Sequence, residues 1–84
     1  MVDNRCATTD ECEQILDARD LRCPLPLLKA KQALRAMESG QRLQVLATDS
    51  GSVQDFQSFC RISGNRLDRW QEDGGVYTYV LVKA

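Results

Sequence analysis

Hydrophobic residues recur along this chain at two alternating spacings, one typical of strands and one of helices. Residues 1–13 show neither; they are polar, rich in Asp, Glu, Thr and Asn, and read as a flexible tail ahead of one domain over residues 14–84. Residues 14–18 (Gln-Ile-Leu-Asp-Ala) make a short strand, and residues 19–22 a loop. Over residues 24–37, Leu27, Ala30, Leu34 and Met37 fall on one face of a helix. Pro24 and Pro26 both lie in its first turn, where backbone N–H groups have no intrahelical acceptor to lose. Gly40 closes the helical region.

Residues 42–47 alternate, with Leu43, Val45 and Ala47 on one side. A second helix follows, with Asp49 or Ser52 as its cap and Asp55 completing a capping-box spacing. Val53, Phe56 and Cys60 share its apolar face with Phe59 beside them, and Gly64 is its stop. Residues 66–71 form a third strand with Leu67 and Trp70, residues 73–75 (Asp-Gly-Gly) a turn, and residues 76–83 the most β-prone segment. The order β-α-β-α-β-β predicts an α+β fold. It is a two-layer α/β sandwich, a four-stranded mixed sheet with both helices on one face. Leu27, Leu34, Val45, Phe56 and Val80 are its expected core.

Composition narrows the function. With 84 residues there is room for one modest core, and the 43% apolar content is that of an ordinary globular domain. A formal net charge of −1 supplies no general attraction to nucleic acid or anionic membrane, so direct nucleic-acid binding is not expected. No apolar run reaches the roughly 20 residues of a membrane span, and the N-terminus lacks an apolar secretory core. The expected location is cytoplasmic, where thiols stay reduced. The chain has no histidine, which removes Ser-His and Cys-His nucleophilic pairs. Its cysteines, at 6, 12, 23 and 60, form no CxxC pair, so neither a zinc ribbon nor a dithiol is expected, and no metal or cofactor is called for.

Cys23 stands out. It precedes a helix, whose free first-turn N–H groups and dipole favour a thiolate. Pro24 and Pro26 each remove one donor but fix the backbone, holding the thiol at the surface in a defined direction. Arg19, Arg22 and Lys29 lie near it in sequence and would favour the thiolate further, as well as attracting an acidic partner surface. Asp17 and Asp20 flank the loop, where they would hold Arg19, Arg22 or a helix N–H, or simply supply exposed loop polarity.

The segment Leu21-Arg22-Cys23-Pro24-Leu25-Pro26-Leu27-Leu28-Lys29 resembles the CPxP motif of the TusA/SirA-like sulfur-carrier family. The resemblance continues through residues 47–52, Asp55-Phe56, Phe59-Cys60, residues 64–67 and the terminal strand, covering residues 15–83. It implies the same two-layer sandwich and a motif cysteine, here Cys23, that accepts sulfur as a persulfide. The implied donor is a cysteine desulfurase or rhodanese-type protein, and the implied recipient a downstream acceptor protein. Known family roles are relays toward tRNA thiolation, molybdenum cofactor metabolism and sulfur oxidation. The chain departs from many relatives at Ser50, where they have proline, and at Asn65, where they have histidine; the second bears on any His-dependent partner contact.

Cys60 is assigned to core packing, while Cys6 and Cys12 are incidental to the chemistry. Trp70, Tyr77 and Tyr79 are read as sheet packing and Arg61, Arg66 and Arg69 as a solvated face. Two alternatives share the fold: a non-catalytic regulatory or protein-interaction module, and an RNA-binding domain. The intact motif favours the carrier, a sulfurtransferase-type relay component, and the near-neutral charge disfavours RNA.

Overall fold

The computed structural model describes residues 12–84. Strand β1 (Gln14–Ala18) leads through a loop to helix α1 (Leu25–Arg35), then β2 (Arg42–Ala47), helix α2 (Ser52–Ser63), β3 (Arg66–Asp73) and β4 (Val76–Val82). The sheet order is β1-β2-β4-β3, with β1 parallel to β2 and the other neighbours antiparallel. This is the predicted mixed four-stranded sheet. The hairpin between β3 and β4 turns on Gly74 and Gly75, both at positive φ, which a two-residue turn matched to the strand twist requires.

Side chains alternate across the sheet, so one set of positions faces the helices. Leu43, Val45 and Ala47 of β2 and Tyr79 and Leu81 of β4 are fully buried there, against Ala30, Leu34, Phe56 and Cys60. Tyr79 packs against Phe56 in a tilted pair, 4.5 Å between ring centroids, and stacks on Trp70 at 6.1 Å, so Tyr79 and Trp70 pack the sheet as expected. Three expectations shift. Val80 is buried, but being one residue from Tyr79 and Leu81 it points to the opposite, helix-free face, in register with Gln44 and Arg69. The buried stripe of α1 is Pro26, Ala30 and Leu34, with Leu27 half-buried on its flank, because the helix is rotated so that its i, i+4, i+8 row meets the sheet. Glu13, assigned to the tail, is tied to β2: its N–H donates to the Arg42 carbonyl at 3.0 Å, and its carboxylate accepts the Arg42 N–H at 2.7 Å. Residues 1–11 of the expected tail lie outside the described residues, and Cys12 is half-buried.

Helix α1 ends at Arg35, sooner than expected, and Gly40 instead shapes the turn into β2, its N–H donating to the Lys83 carbonyl at 2.8 Å. Gly64 stops α2 in the left-handed conformation, with its N–H on the Cys60 carbonyl. Asn65 accepts the Ala84 N–H at 2.7 Å and so ties the α2–β3 junction to the chain end. No helix among the described residues is long and apolar enough to cross a membrane.

Candidate active site

The loops after β1 and β2 leave the sheet at the same end, because those strands are parallel and in register from Gln14–Leu43 to Ala18–Ala47. This brings residues 19–24 against residues 48–51 and against the first turn of α2. Asp20, at φ 69°, donates its N–H to the Thr48 hydroxyl at 2.9 Å, one rivet between the loops. The chain then folds back through Arg22–Leu25, with the Leu25 N–H on the Arg22 carbonyl at 2.7 Å and a cis peptide between Cys23 and Pro24, the geometry of a type VI turn. Pro24 is exposed while Pro26 is buried, anchoring the start of α1 to the core.

Cys23 is exposed and its thiol is free. Its backbone N–H donates to Asp49 Oδ2 at 2.8 Å, and the other oxygen of Asp49 accepts the Gly51 N–H at 2.8 Å. These two N–H groups hold the Asp49 carboxyl below the usual carboxylate range. Gly51 has ordinary helical φ; its value here is room. A Cβ on it would stand 3.3 Å from Cys23 Cβ and 3.5 Å from Sγ, so the side chain of Cys23 occupies the space a larger residue would take.

The thiol itself donates to Asp55 Oδ2, at 2.6 Å, across 32 positions of sequence. This overturns the electrostatic expectation for Cys23. The Asp55 carboxylate, followed by desolvation and the charge of Asp49, pushes the thiol up to about 11 from its ordinary 9.0. The basic residues do not compensate, because neighbours in sequence are not neighbours in space. Arg19 is forked onto Asp17, with contacts of 2.9 and 2.8 Å, and holds that carboxyl down to about 2. Arg22 acts on Asp49, while Lys29 is exposed on α1.

Sequence reasoning therefore placed Cys23 and its prolines at the loop and helix start where the structure has them, but cast Asp49 and Asp55 only as helix caps. Neither caps α2, whose N-cap is Gly51 with no side-chain hydrogen bond. The family resemblance had marked both aspartates without revealing their roles. Ser52 is the other residue whose role differs. Buried to 1% exposure, its hydroxyl donates to the Asp49 carbonyl at 2.7 Å and lies 2.6 Å from the Tyr79 hydroxyl. Ser52 has one proton, already given to Asp49, so Tyr79 donates to Ser52. The loop carrying Asp49 is thus anchored through Ser52 to the sheet. Cys60 sits in the core, where burial pushes its thiol up, apart from this cluster.

Beside Asp55 runs a groove of about 260 Å³ between the helices, lined by Leu27, Lys31, Ser58, Phe59 and Ile62. Lys31 lies 5.5 Å from the centre of the Phe59 ring. Leu25, Leu28 and Ile62 are 44%, 46% and 82% exposed, so both helices carry exposed apolar side chains, Leu25 two residues from Cys23. A second hollow, of about 140 Å³ around Gln44 and Val80, opens on the other face of the sheet, away from the thiol.

Comparison with known proteins places this arrangement. Residues 14–83 match the family described as Sulfurtransferase TusA. The chain is 50% identical over 72 residues to the sulfur carrier protein TusA of Allochromatium vinosum, covering 86% of this chain and 95% of that one. It is 38% identical over 71 residues to the sulfur carrier protein TusA of Pseudomonas putida, covering 84% and 89%. Among solved structures, the SirA-like protein of Desulfitobacterium hafniense superposes with a TM-score of 0.72 at 30% identity, over 82% of this chain and 95% of that one.

Proposed function

We infer the chemistry from one premise: this chain belongs to the TusA sulfurtransferase family. It is a sulfur carrier, with sulfur held as a persulfide on Cys23 and relayed from a donor protein to an acceptor protein. The observation that carries the reading is the placement of Cys23. An exposed thiol stands at the turn into α1, its backbone held by Asp49 and its sulfur by Asp55, within the family's CPxP motif. A relay needs a sulfur that two different proteins can reach in turn, and a buried thiol such as Cys60 would serve neither.

The donor is a cysteine desulfurase or a rhodanese-type protein, and both it and the acceptor dock on the helical surface beside Cys23. The exposed Leu25, Leu28 and Ile62 supply apolar contact area, and Lys29 and Lys31 favour an acidic rim on the partner. The relay is cytoplasmic, where reduced thiols and persulfide donors coexist.

Intact-mass measurement after incubation with a cysteine desulfurase and cysteine tests this reading. The wild type gains one sulfur mass, which a thiol reductant removes. Cys23→Ser folds and gains none, because a hydroxyl is a far poorer nucleophile. Cys60→Ser still loads. Loading of Cys23→Ser to the wild-type level would refute the assignment. Failure of every variant with either donor class would favour the regulatory-module alternative.

A further inference from the structure

A thiol pushed up to about 11 is an unexpected choice for a sulfur acceptor. At neutral pH only about one molecule in ten thousand would hold a thiolate. The cause is a single well-placed group, Asp55 in the first turn of α2, whose Oδ2 accepts the thiol proton at 2.6 Å. The chain contains no histidine, so no imidazole can act as base. The charged groups on the elements packed against Cys23 are few. Asp55 comes from α2 and Asp49 from the β2–α2 loop; Arg22 neighbours Asp49, Arg19 is held by Asp17, and Tyr79 of β4 lies behind Ser52. Asp49 spends its oxygens on the N–H groups of Cys23 and Gly51, which leaves Asp55 as the carboxylate that touches sulfur.

We propose that Asp55 is the catalytic proton acceptor for Cys23. It takes the thiol proton as Sγ attacks a donor persulfide and delivers that proton to the thiolate that leaves. The proposal rests on the carrier reading above. In the step, Cys23 Sγ forms a bond to the terminal sulfur of the donor, and the donor's own S–S bond breaks. Its electron pair departs on the donor cysteine, which collects the proton from Asp55. A donor persulfide and a Cys23 thiol become a donor thiol and a Cys23 persulfide, with no net oxidation and no further reagent.

The arrangement separates resting from working chemistry. A free electrophile or oxidant meets a protonated thiol. A donor that aligns its persulfide with Sγ meets a thiol whose base is already in contact. Holding the thiol at about 11 rather than near 9 lowers the thiolate fraction about a hundredfold, and the greater nucleophilicity of the more basic thiolate recovers about tenfold. The carboxylate therefore shields Cys23 from unaligned reagents by about tenfold overall.

Asp55→Asn tests the proposal, since the amide keeps the shape and can still accept a hydrogen bond but not a proton. Two rates are read: alkylation by iodoacetamide, followed at the Cys23 peptide across pH, and loading from a persulfidated cysteine desulfurase followed by intact mass. Alkylation at neutral pH should rise about tenfold, its midpoint moving from about 11 toward 9. Loading should fall about a hundredfold. The two rates moving in opposite directions is the signature; a merely structural role would move them together, and a thermal melt confirms that the variant is folded. Loading of Asp55→Asn at or above the wild-type rate would overturn the proposal. So would an alkylation profile unchanged from the wild type, which would mean that the contact does not govern the thiol. Failure of the carrier reading is distinguishable: there Cys23→Ser itself would load, or the wild type would not load at all.

Discussion

At the scale of single residues, Cys23 is governed by carboxylates that approach it from another element, and this has a consequence for stability. The folded protein binds the Cys23 proton more tightly than the unfolded chain, whose thiol titrates near 9.0 while the folded one is held up at about 11. Below pH 9 both states are protonated and the contribution of the Cys23–Asp55 contact is fully present. As pH rises through 9 toward 11, the unfolded chain loses its proton first and that contribution is lost. Denaturant titrations of wild type and Cys23→Ser between pH 8 and 11 isolate the effect, because the two proteins differ in that thiol alone. The wild type is expected to lose stability relative to the variant across that window; a constant difference would contradict the contact.

At the scale of elements, what matters is how the α2 start is fastened. Its first turn carries Asp55 to the thiol, and its entry loop carries Asp49 to the Cys23 N–H, so both depend on the anchor through Ser52. Ser52→Ala would leave the Asp49 carbonyl without its hydroxyl donor and the Tyr79 hydroxyl, at 2.6 Å, without its acceptor, both in the interior. A loss of about 1–3 kcal/mol is expected from unsatisfied buried groups. Tyr79→Phe removes the donor but leaves Ser52 bonded to Asp49, so about 1 kcal/mol or less is expected there. Urea unfolding of the two variants ranks them, and an equal or reversed ranking would show that the hydroxyl pair is not the anchor. The helix itself is held independently, by the fully buried Phe56 against Tyr79.

At the scale of the whole molecule, the parts of the proposed site gather at one end of the sheet and on its helical side, while the opposite face carries Val80, Gln44 and the ion pair of Arg42 with Asp68 at 2.9 Å. Residues 1–11 are polar and non-periodic in sequence, and Glu13, just after them, is bonded to Arg42 of β2. Removing residues 1–11 is therefore expected to leave the thermal midpoint within a few degrees of the full chain and sulfur loading intact. Calorimetry and intact-mass loading of the shortened protein check this; a large loss in either would assign a role to the segment that holds Cys6.

The division between what was legible in the chain and what was not follows from range. Element order and type were readable because they rest on local periodicity and on Pro, Gly and Asp-Gly-Gly punctuation, each a matter of a few neighbouring residues. Cys23 was readable because its proline-flanked motif is contiguous. Small errors of facing, as at Val80 and Leu27, came from a strand alternation and a helical rotation that only packing against the partner layer settles. The electrostatics of the site were not readable. Charge acts through space, and the sequence distance between Cys23 and Asp55 is 32 residues, closed only when the parallel strands β1 and β2 bring their following loops together. By itself the sequence determined that this chain folds as a two-layer sandwich presenting Cys23 at a helix start. The tertiary structure decided that the thiol meets a carboxylate rather than arginine or lysine, because the sheet register, not proximity along the chain, selects its neighbours.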